Sequence, residues 1–380
     1  MKSHLVPTVL AQALLLIGCV QMPDHAMPRL ADAASIDAAA REAMAQTHAR
    51  GLAVAVVDAG QVVHVRAFGR RNEAGEPLRT DTVMVAASLT KPVFAYLVMQ
   101  LVDEGRMDLD APIGRYLAQP LPSYPPWSGL AGDDRWRAIT PRMLLSHRSG
   151  LPNLATPESE GGLRLQFDPG ARYAYSGAGI NLLQFVLERG LGLDVDAELR
   201  RRVFQRFDMP HTRLTWQEEA ASNQADGYTA SGDSRPHPRR RRAAAASSMG
   251  TTPEDFAHFA AGFMRGEGLS SSSRAAMTTP QGPITTATQF PTFQAELPAE
   301  RRRADLAAGL GVVLFDGPQG PGFFKGGHED HAGNTWLCLE RTARCVVLLS
   351  NDVRAEKAFP GLVASIVGET GAPWRWEYGR

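Results

Sequence analysis

Strand-forming sequence sits at the two ends of this chain, and that placement limits the fold more than any other feature. Near the start, LAVAVVD (52–58) and QVVHVRAF (61–68) straddle Ala59-Gly60, which predicts a β-hairpin. Near the end, GLGVVLF (309–315) predicts a strand, and TWLCLERTARCVVLLSN predicts a second hairpin whose apolar runs flank the polar stretch Glu340 to Arg344. Between the ends lies a long region of helices and Pro/Gly-rich loops, including LPSYPPWSGLAGDD, and a helix is expected near 357–368. No repeat of fixed period occurs. The simplest architecture is α+β: one antiparallel sheet built from N- and C-terminal strands and flanked by helices, with a mainly helical subdomain inserted. The expected boundaries are a folded domain at 41–375, its α/β part at about 45–80 and 305–375 and its helical part at about 81–304.

Composition agrees with a soluble globular protein: 44% of residues are hydrophobic and 21% charged. With 40 acidic against 40 basic residues the formal net charge is zero, which removes the usual electrostatic reason to expect a nucleic-acid partner. The runs Arg239 to Arg242 and Arg301 to Arg303 follow Pro-containing stretches and read as solvated loops.

MKSHLVPTVLAQALLLIGC has an early lysine, a short apolar run and then a cysteine, the layout of a secretory signal and too short for a stable membrane span. Leu16 to Cys19 resemble the lipobox of bacterial lipoproteins, which implies a signal peptide at 1–18, acylation of Cys19, and a tether at 19–40. The alternative is a later cut near Ala31-Asp32-Ala33. Either way the protein is expected to be exported, and in the lipoprotein case periplasmic and held to the membrane through the lipid alone. An oxidising compartment permits a disulfide. In a hairpin centred on Arg341 and Thr342, Cys338 and Cys345 lie opposite each other on one face, so either a disulfide or two buried free thiols is expected there.

The chain avoids lysine. Of its 40 basic residues only Lys2, Lys91, Lys325 and Lys357 are lysines, and Lys91 stands three residues after Ser88 in AASLTKP. Arginine keeps its proton at physiological pH, whereas a buried lysine can lose it, so Lys91 is a candidate base. Phe94, Leu97, Val98 and Leu101 recur at helical spacing and Gly105 ends the run, so Ser88 opens a helix whose first turn tolerates Pro92. On that turn residues 88 and 91 share a face. The alternative for Ser88 is an ordinary helix N-cap. Two further motifs follow: Tyr175-Ser176-Gly177, ahead of a helix with Leu182, Leu183, Val186 and Leu187 on its apolar face, and Lys325-Gly326-Gly327 at the start of the C-terminal strands.

This order of motifs resembles that of the serine β-lactamases and penicillin-binding proteins, most closely the class C-like branch that includes esterases and D-amino-acid peptidases. The segments ITPRMLLSHRSGL, FDPG, SSMGTTPEDFAHF, MTTPQ and VVLLSN agree with it, and the similarity runs from about residue 45 to 370. The resemblance implies a β-lactamase/transpeptidase-like fold and a serine hydrolase that works through an acyl-enzyme with neither metal nor organic cofactor. Ser88 would be the nucleophile, Lys91 its general base and Tyr175 a second base. Lys325 would hold Tyr175 near its ionised form and attract a substrate carboxylate. The backbone N–H groups of Ser88 and His328 would form the oxyanion hole, with Gly177, Gly326 and Gly327 along the substrate. The expected substrate is a small molecule or peptide: a β-lactam, an ester, or a D-amino-acid peptide in the manner of a D-Ala carboxypeptidase. A catalytically silent binding or regulatory protein on the same fold is the alternative of another class.

Two positions depart from the family pattern. Gly177 replaces the usual asparagine of the second motif, with Asn181 one helical turn away, and Gly326 lacks the hydroxyl common at the middle of the third. Two other clusters are read as non-catalytic. His328, Glu329, Asp330 and His331 lack HExxH spacing, and His147 near Ser149 lies outside any G-x-S-x-G elbow, so no metal site and no serine–histidine pair is expected.

Overall fold

The computed structural model describes residues 28–154 and 163–379. Helix α1 (Ala33–Thr47) leads into β1 (Gly51–Asp58) and β2 (Gln61–Gly69). Ala59 (φ 49°) and Gly60 (φ 73°) both take the left-handed conformation that a two-residue hairpin turn requires. The remaining strands of the main sheet are β3 (Gly282–Pro283), β4 (Ala307–Ala308), β5 (Val313–Gly317), β6 (Gly320–Glu329), β7 (Ala332–Leu339) and β8 (Arg344–Ser350). The sheet is antiparallel with spatial order β2-β1-β8-β7-β6-β5-β4-β3. The two ends of the chain therefore pair side by side within the sheet, where Leu52 lies opposite Ser350 and Val57 opposite Cys345.

Burial follows the pleat. Leu52, Val54, Val56, Val346 and Leu348 face a layer made by α1 and a C-terminal helix at Phe359–Val367, through Ile36, Ala40, Phe359, Leu362 and Ile366. Ala53, Ala55, Val57, Trp336 and Val347 face the opposite side, against Phe256, Phe259 and Phe263 of the Pro253–Met264 helix. Each fully buried large apolar side chain contributes about 1.5–3 kcal/mol. The Pro253–Met264 helix starts where its sequence dictates: Thr252 caps it by accepting from Asp255 N–H at 3.0 Å, and Pro253 occupies the first turn.

The helix that follows the serine, α2 (Thr90–Asp103), is buried on every side from Thr90 to Leu101, a broader burial than the single apolar face its spacing predicts. It lies inside the core shared by the sheet and the helical region. Helix α3 (Gly177–Gly190) buries Leu182, Leu183, Val186 and Leu187 as expected, and Ser176 caps it by accepting from Gly179 N–H at 2.8 Å.

Three expectations need correction. The tether at 19–40 is a helix from Ala33 onward, packed on the sheet through Ile36 and Ala40, while Ala31 N–H donates to the Ile366 carbonyl at 3.0 Å; residues 1–27, with Cys19 and the signal, lie outside the described residues. The folded unit also continues past 375, into a short helix at Trp374–Tyr378 whose Trp376 is buried. Residues 309–315 are not one strand. Gly309 N–H donates to the Val312 carbonyl at 2.9 Å and Gly311 turns at φ 82°, so the chain reverses between β4 and β5. Of the two expectations for the cysteines, the disulfide is found: Cys338 and Cys345 are cross-strand partners of β7 and β8, bonded, with Cα atoms 4.1 Å apart.

Candidate active site

Ser88 lies in a single 3-10 turn, Ala87–Leu89, that runs into α2. The residue before it, Ala87, has φ 49°, a left-handed conformation that is uncommon without a glycine and marks local strain. Neighbouring backbone holds the turn in place. Leu89 N–H donates to the Ala86 carbonyl at 3.1 Å and Thr90 Oγ1 donates to the Ala87 carbonyl at 2.6 Å. Strand β6 presses against the same turn at Gly327, where a Cβ would stand 2.5 Å from the Ala86 carbonyl oxygen. Asn334 Nδ2 donates to both Val85 and Gly327 carbonyls at 3.0 Å, tying turn and strand together. The Ser88 hydroxyl caps no backbone N–H, which sets aside the N-cap alternative.

That hydroxyl stands between an amine and a phenol. Lys91 Nζ is 2.9 Å from Ser88 Oγ, and Tyr175 Oη donates to the same oxygen at 2.6 Å. Lys325 Nζ lies 4.9 Å from the centre of the Tyr175 ring and Lys91 Nζ 4.7 Å from it, so the two lysine nitrogens share one aromatic wall. Burial first, and the charge of Lys325 second, push the Lys91 amine well below the ordinary lysine value, toward the neutral form that can take a proton. Lys325 is pushed down to about 8 by burial, with Glu377 opposing the shift. Burial pushes the Tyr175 hydroxyl up, against the hydrogen bond to Ser88, so the phenol of this resting site is a proton donor, a correction to the expectation that Lys325 holds it near its ionised form.

Supporting residues fix these groups. Ser176 N–H donates to His147 Nδ1 at 3.2 Å, and the His147 ring lies against Tyr175 with centroids 4.5 Å apart. Burial, reinforced by Lys91 and Lys325, holds that imidazole neutral. His147 thus orients the tyrosine loop, while Ser149 Oγ accepts from Leu151 N–H at 3.3 Å. Lys91 Nζ donates to the Ala246 carbonyl at 2.7 Å, and Ala246 N–H donates to Asn181 Oδ1 at 3.2 Å, so Asn181 acts on the site by holding the segment that orients Lys91.

The chain matches the family model described as Beta-lactamase over residues 36–365. It belongs to the Beta-lactamase family. Among its relatives, esterase EstB of Burkholderia gladioli is 30% identical over 204 residues, 47% of this chain and 50% of that protein. Monacolin J acid methylbutanoyltransferase of Aspergillus terreus is 30% identical over 201 residues, 44% and 48% of the two chains. The chain thus spans about half the length of the curated relatives it matches. Among solved structures, the octameric penicillin-binding protein homologue from Pyrococcus abyssi superposes with a TM-score of 0.71 at 20% identity, covering 90% of this chain and 79% of that one, and shares its fold.

Within this β-lactamase-family site, Ser88, Lys91, Tyr175, Lys325, Gly177, Gly326 and His328 all line one cleft of about 680 Å³. Gly327 serves the packing of β6 on the nucleophile turn. Strand β6 pairs with β5 only as far as Phe324, so the edge of Lys325 to Glu329 is open beside Ser88. The His328 ring faces Glu356, with Nδ1 3.0 Å from Oε1, and that hydrogen bond raises its pKa. Glu329 pairs instead with Arg240 at 3.1 Å, so the histidine–acid run is divided among separate partners; Arg240, expected in a solvated loop, ties its loop to β6.

Several cleft residues have no counterpart in the sequence reading, among them Asn153, Leu154, Gln289, Phe290 and Glu377. Asn153 Oδ1 accepts from Gly177 N–H at 3.1 Å, and a Cβ on Gly177 would meet the Asn153 carbonyl oxygen at 2.6 Å. The glycine that replaces the family's asparagine therefore makes room for an asparagine from another loop. Glu377 comes from the Trp374–Tyr378 helix, and burial raises its pKa while Lys325 opposes.

Proposed function

We propose that this serine hydrolase cleaves carboxylic esters with uncharged, apolar acyl or alcohol groups through an acyl-enzyme on Ser88. The observation that carries the reading is the Ser88 hydroxyl held between the Lys91 amine at 2.9 Å and the Tyr175 hydroxyl at 2.6 Å, with burial pushing the lysine toward its neutral form. As Ser88 Oγ attacks the ester carbonyl, its proton passes to Lys91 Nζ. The oxygen that becomes negative is met by the N–H groups of Ser88 and His328, each such donor being worth about 3 kcal/mol of barrier. The C–O bond breaks, and the leaving alkoxide takes a proton from the Lys91–Tyr175 pair and departs as an alcohol. Water then gives a proton to the same pair, attacks the acyl-serine, and releases the carboxylic acid with Ser88 restored.

Three features support esters over β-lactams and D-peptides. Gly177 lacks the side-chain amide usual at that position, Gly326 lacks the usual hydroxyl, and two exposed apolar side chains stand at the cleft. Among the described residues only Val63, Leu154 and Phe290 are exposed large hydrophobics, and the last two line this cleft. The resemblance to an esterase fits this reading. The test is a panel of p-nitrophenyl esters, nitrocefin and D-Ala-D-Ala peptides with the purified protein. Turnover of the esters far above the other two is expected; nitrocefin or peptide turnover above ester turnover would refute the ester reading, and no acylation by any of them would favour a silent binding protein.

A further inference from the structure

Building on the ester-hydrolase reading, we propose that Glu377 is a charge filter: its carboxylate stands beside Lys325 in the place a substrate carboxylate would need, so the cleft discriminates against negatively charged esters. Position is the first argument. A Cβ built on Gly326 would lie 1.9 Å from Glu377 Oε1, so the carboxylate rests directly against the backbone of the residue that follows Lys325. A serine or threonine there would expel it, and glycine admits it. Glu377 also lies beyond residue 365, where the match to the family model ends, and is supplied by this chain's own C-terminal helix.

Anchoring is the second argument. Gln289 Nε2 donates to Glu377 Oε2 at 2.9 Å, while Gln289 Oε1 accepts from Tyr173 Oη at 3.3 Å. Gln289 N–H also donates to the Trp376 carbonyl at 2.8 Å, and both Gln289 and Tyr173 are buried. The acid is thus set in place by a neutral relay. Other carboxylates of the wall face bases: Glu329 is 3.1 Å from Arg240 and Glu356 3.0 Å from His328, and Asp330 pairs with His331. Glu377 is held by an amide, which leaves its field directed at Lys325. A second carboxylate brought to that lysine would meet a like charge in a partly dehydrated cleft, where Coulomb repulsion is several times stronger than in water. Repulsion of the wrong ligand is how specificity is commonly built, and a neutral ester escapes it.

The test compares matched pairs: 4-butyryloxybenzoate with its methyl ester, and mono-4-nitrophenyl succinate with 4-nitrophenyl methyl succinate. The readout is the ratio of kcat/KM, anionic over neutral, within each pair. Glu377→Gln removes the charge at nearly constant shape, and Gly326→Ser displaces the carboxylate by an independent route. Both variants are expected to raise the ratio at least tenfold in one pair or both. A ratio within twofold of the parent in both variants overturns the filter. Fluorophosphonate labelling of Ser88 in the parent separates the two levels: labelling and ester turnover with an unmoved ratio overturns the filter alone, whereas neither labelling nor turnover overturns the hydrolase reading and the filter with it.

Discussion

Lys91 and Lys325 bring the same functional group to the same tyrosine and need opposite protonation states. A base must be neutral, so kcat/KM should climb as pH rises through the lowered Lys91 value. A fixed positive charge must persist, so kcat/KM should fall as pH passes about 8, where Lys325 loses its proton. The expected profile is a bell measured on a neutral ester, and Lys325→Arg should move its alkaline limb upward while leaving the acid limb in place. An alkaline limb that stays near 8 in that variant would show that another group titrates. Both lysines also oppose folding. Their native pKa values lie below the ordinary 10.5, so the unfolded chain binds the extra proton, and the penalty from Lys325 is full below about 8 and fades as pH rises toward 10.5. At this scale the sequence was informative, because lysine is scarce here and arginine could not serve as a base.

Elements were legible where local pattern and tertiary packing agree. The two terminal hairpins, the turn at Ala59-Gly60 and the helix after Tyr175-Ser176-Gly177 follow their periodicity. The first half of the Ala33–Thr47 helix falls in the tether expected at 19–40, which follows from the lipoprotein signal; its alanine-rich run carries a weak apolar stripe, and small side chains suffice because it sits close on the sheet. The strand at 309–315 was overextended because Gly311 was read as strand rather than turn. The Cys338–Cys345 bridge closes a short loop within an already paired hairpin. On a chain-entropy account it stabilises by about 2.5 kcal/mol. The double variant Cys338→Ala/Cys345→Ala should therefore lose about that much in denaturant unfolding while keeping its circular dichroism spectrum and ester turnover; loss of the fold would mean the bridge holds more than its loop.

Across the whole molecule, the sequence told most about groups that come in motifs and least about groups delivered by distant segments. Ser88, Tyr175 and Lys325 announce themselves locally, but Asn153, Gln289 and Glu377 reach the cleft only because sheet, helical region and C-terminal helix close around it. No spacing rule links Gln289 to Glu377, and their contact at 2.9 Å exists only in the folded chain. Export is a molecule-scale proposal carried by LIGC after the apolar run, and the disulfide is in keeping with it. Mass spectrometry of membrane-extracted protein should find Cys19 acylated at the mature N-terminus; an unmodified terminus beyond residue 30 would refute this. The central claim is that Lys91 is the base that activates Ser88. Its most direct measurement is the rate at which a fluorophosphonate probe labels Ser88 in the parent and in Lys91→Arg, with thermal midpoints recorded alongside and Ser88→Ala as the blank. A fall of about 10²- to 10⁴-fold in a folded variant is expected. Labelling of Lys91→Arg at the parental rate would contradict it.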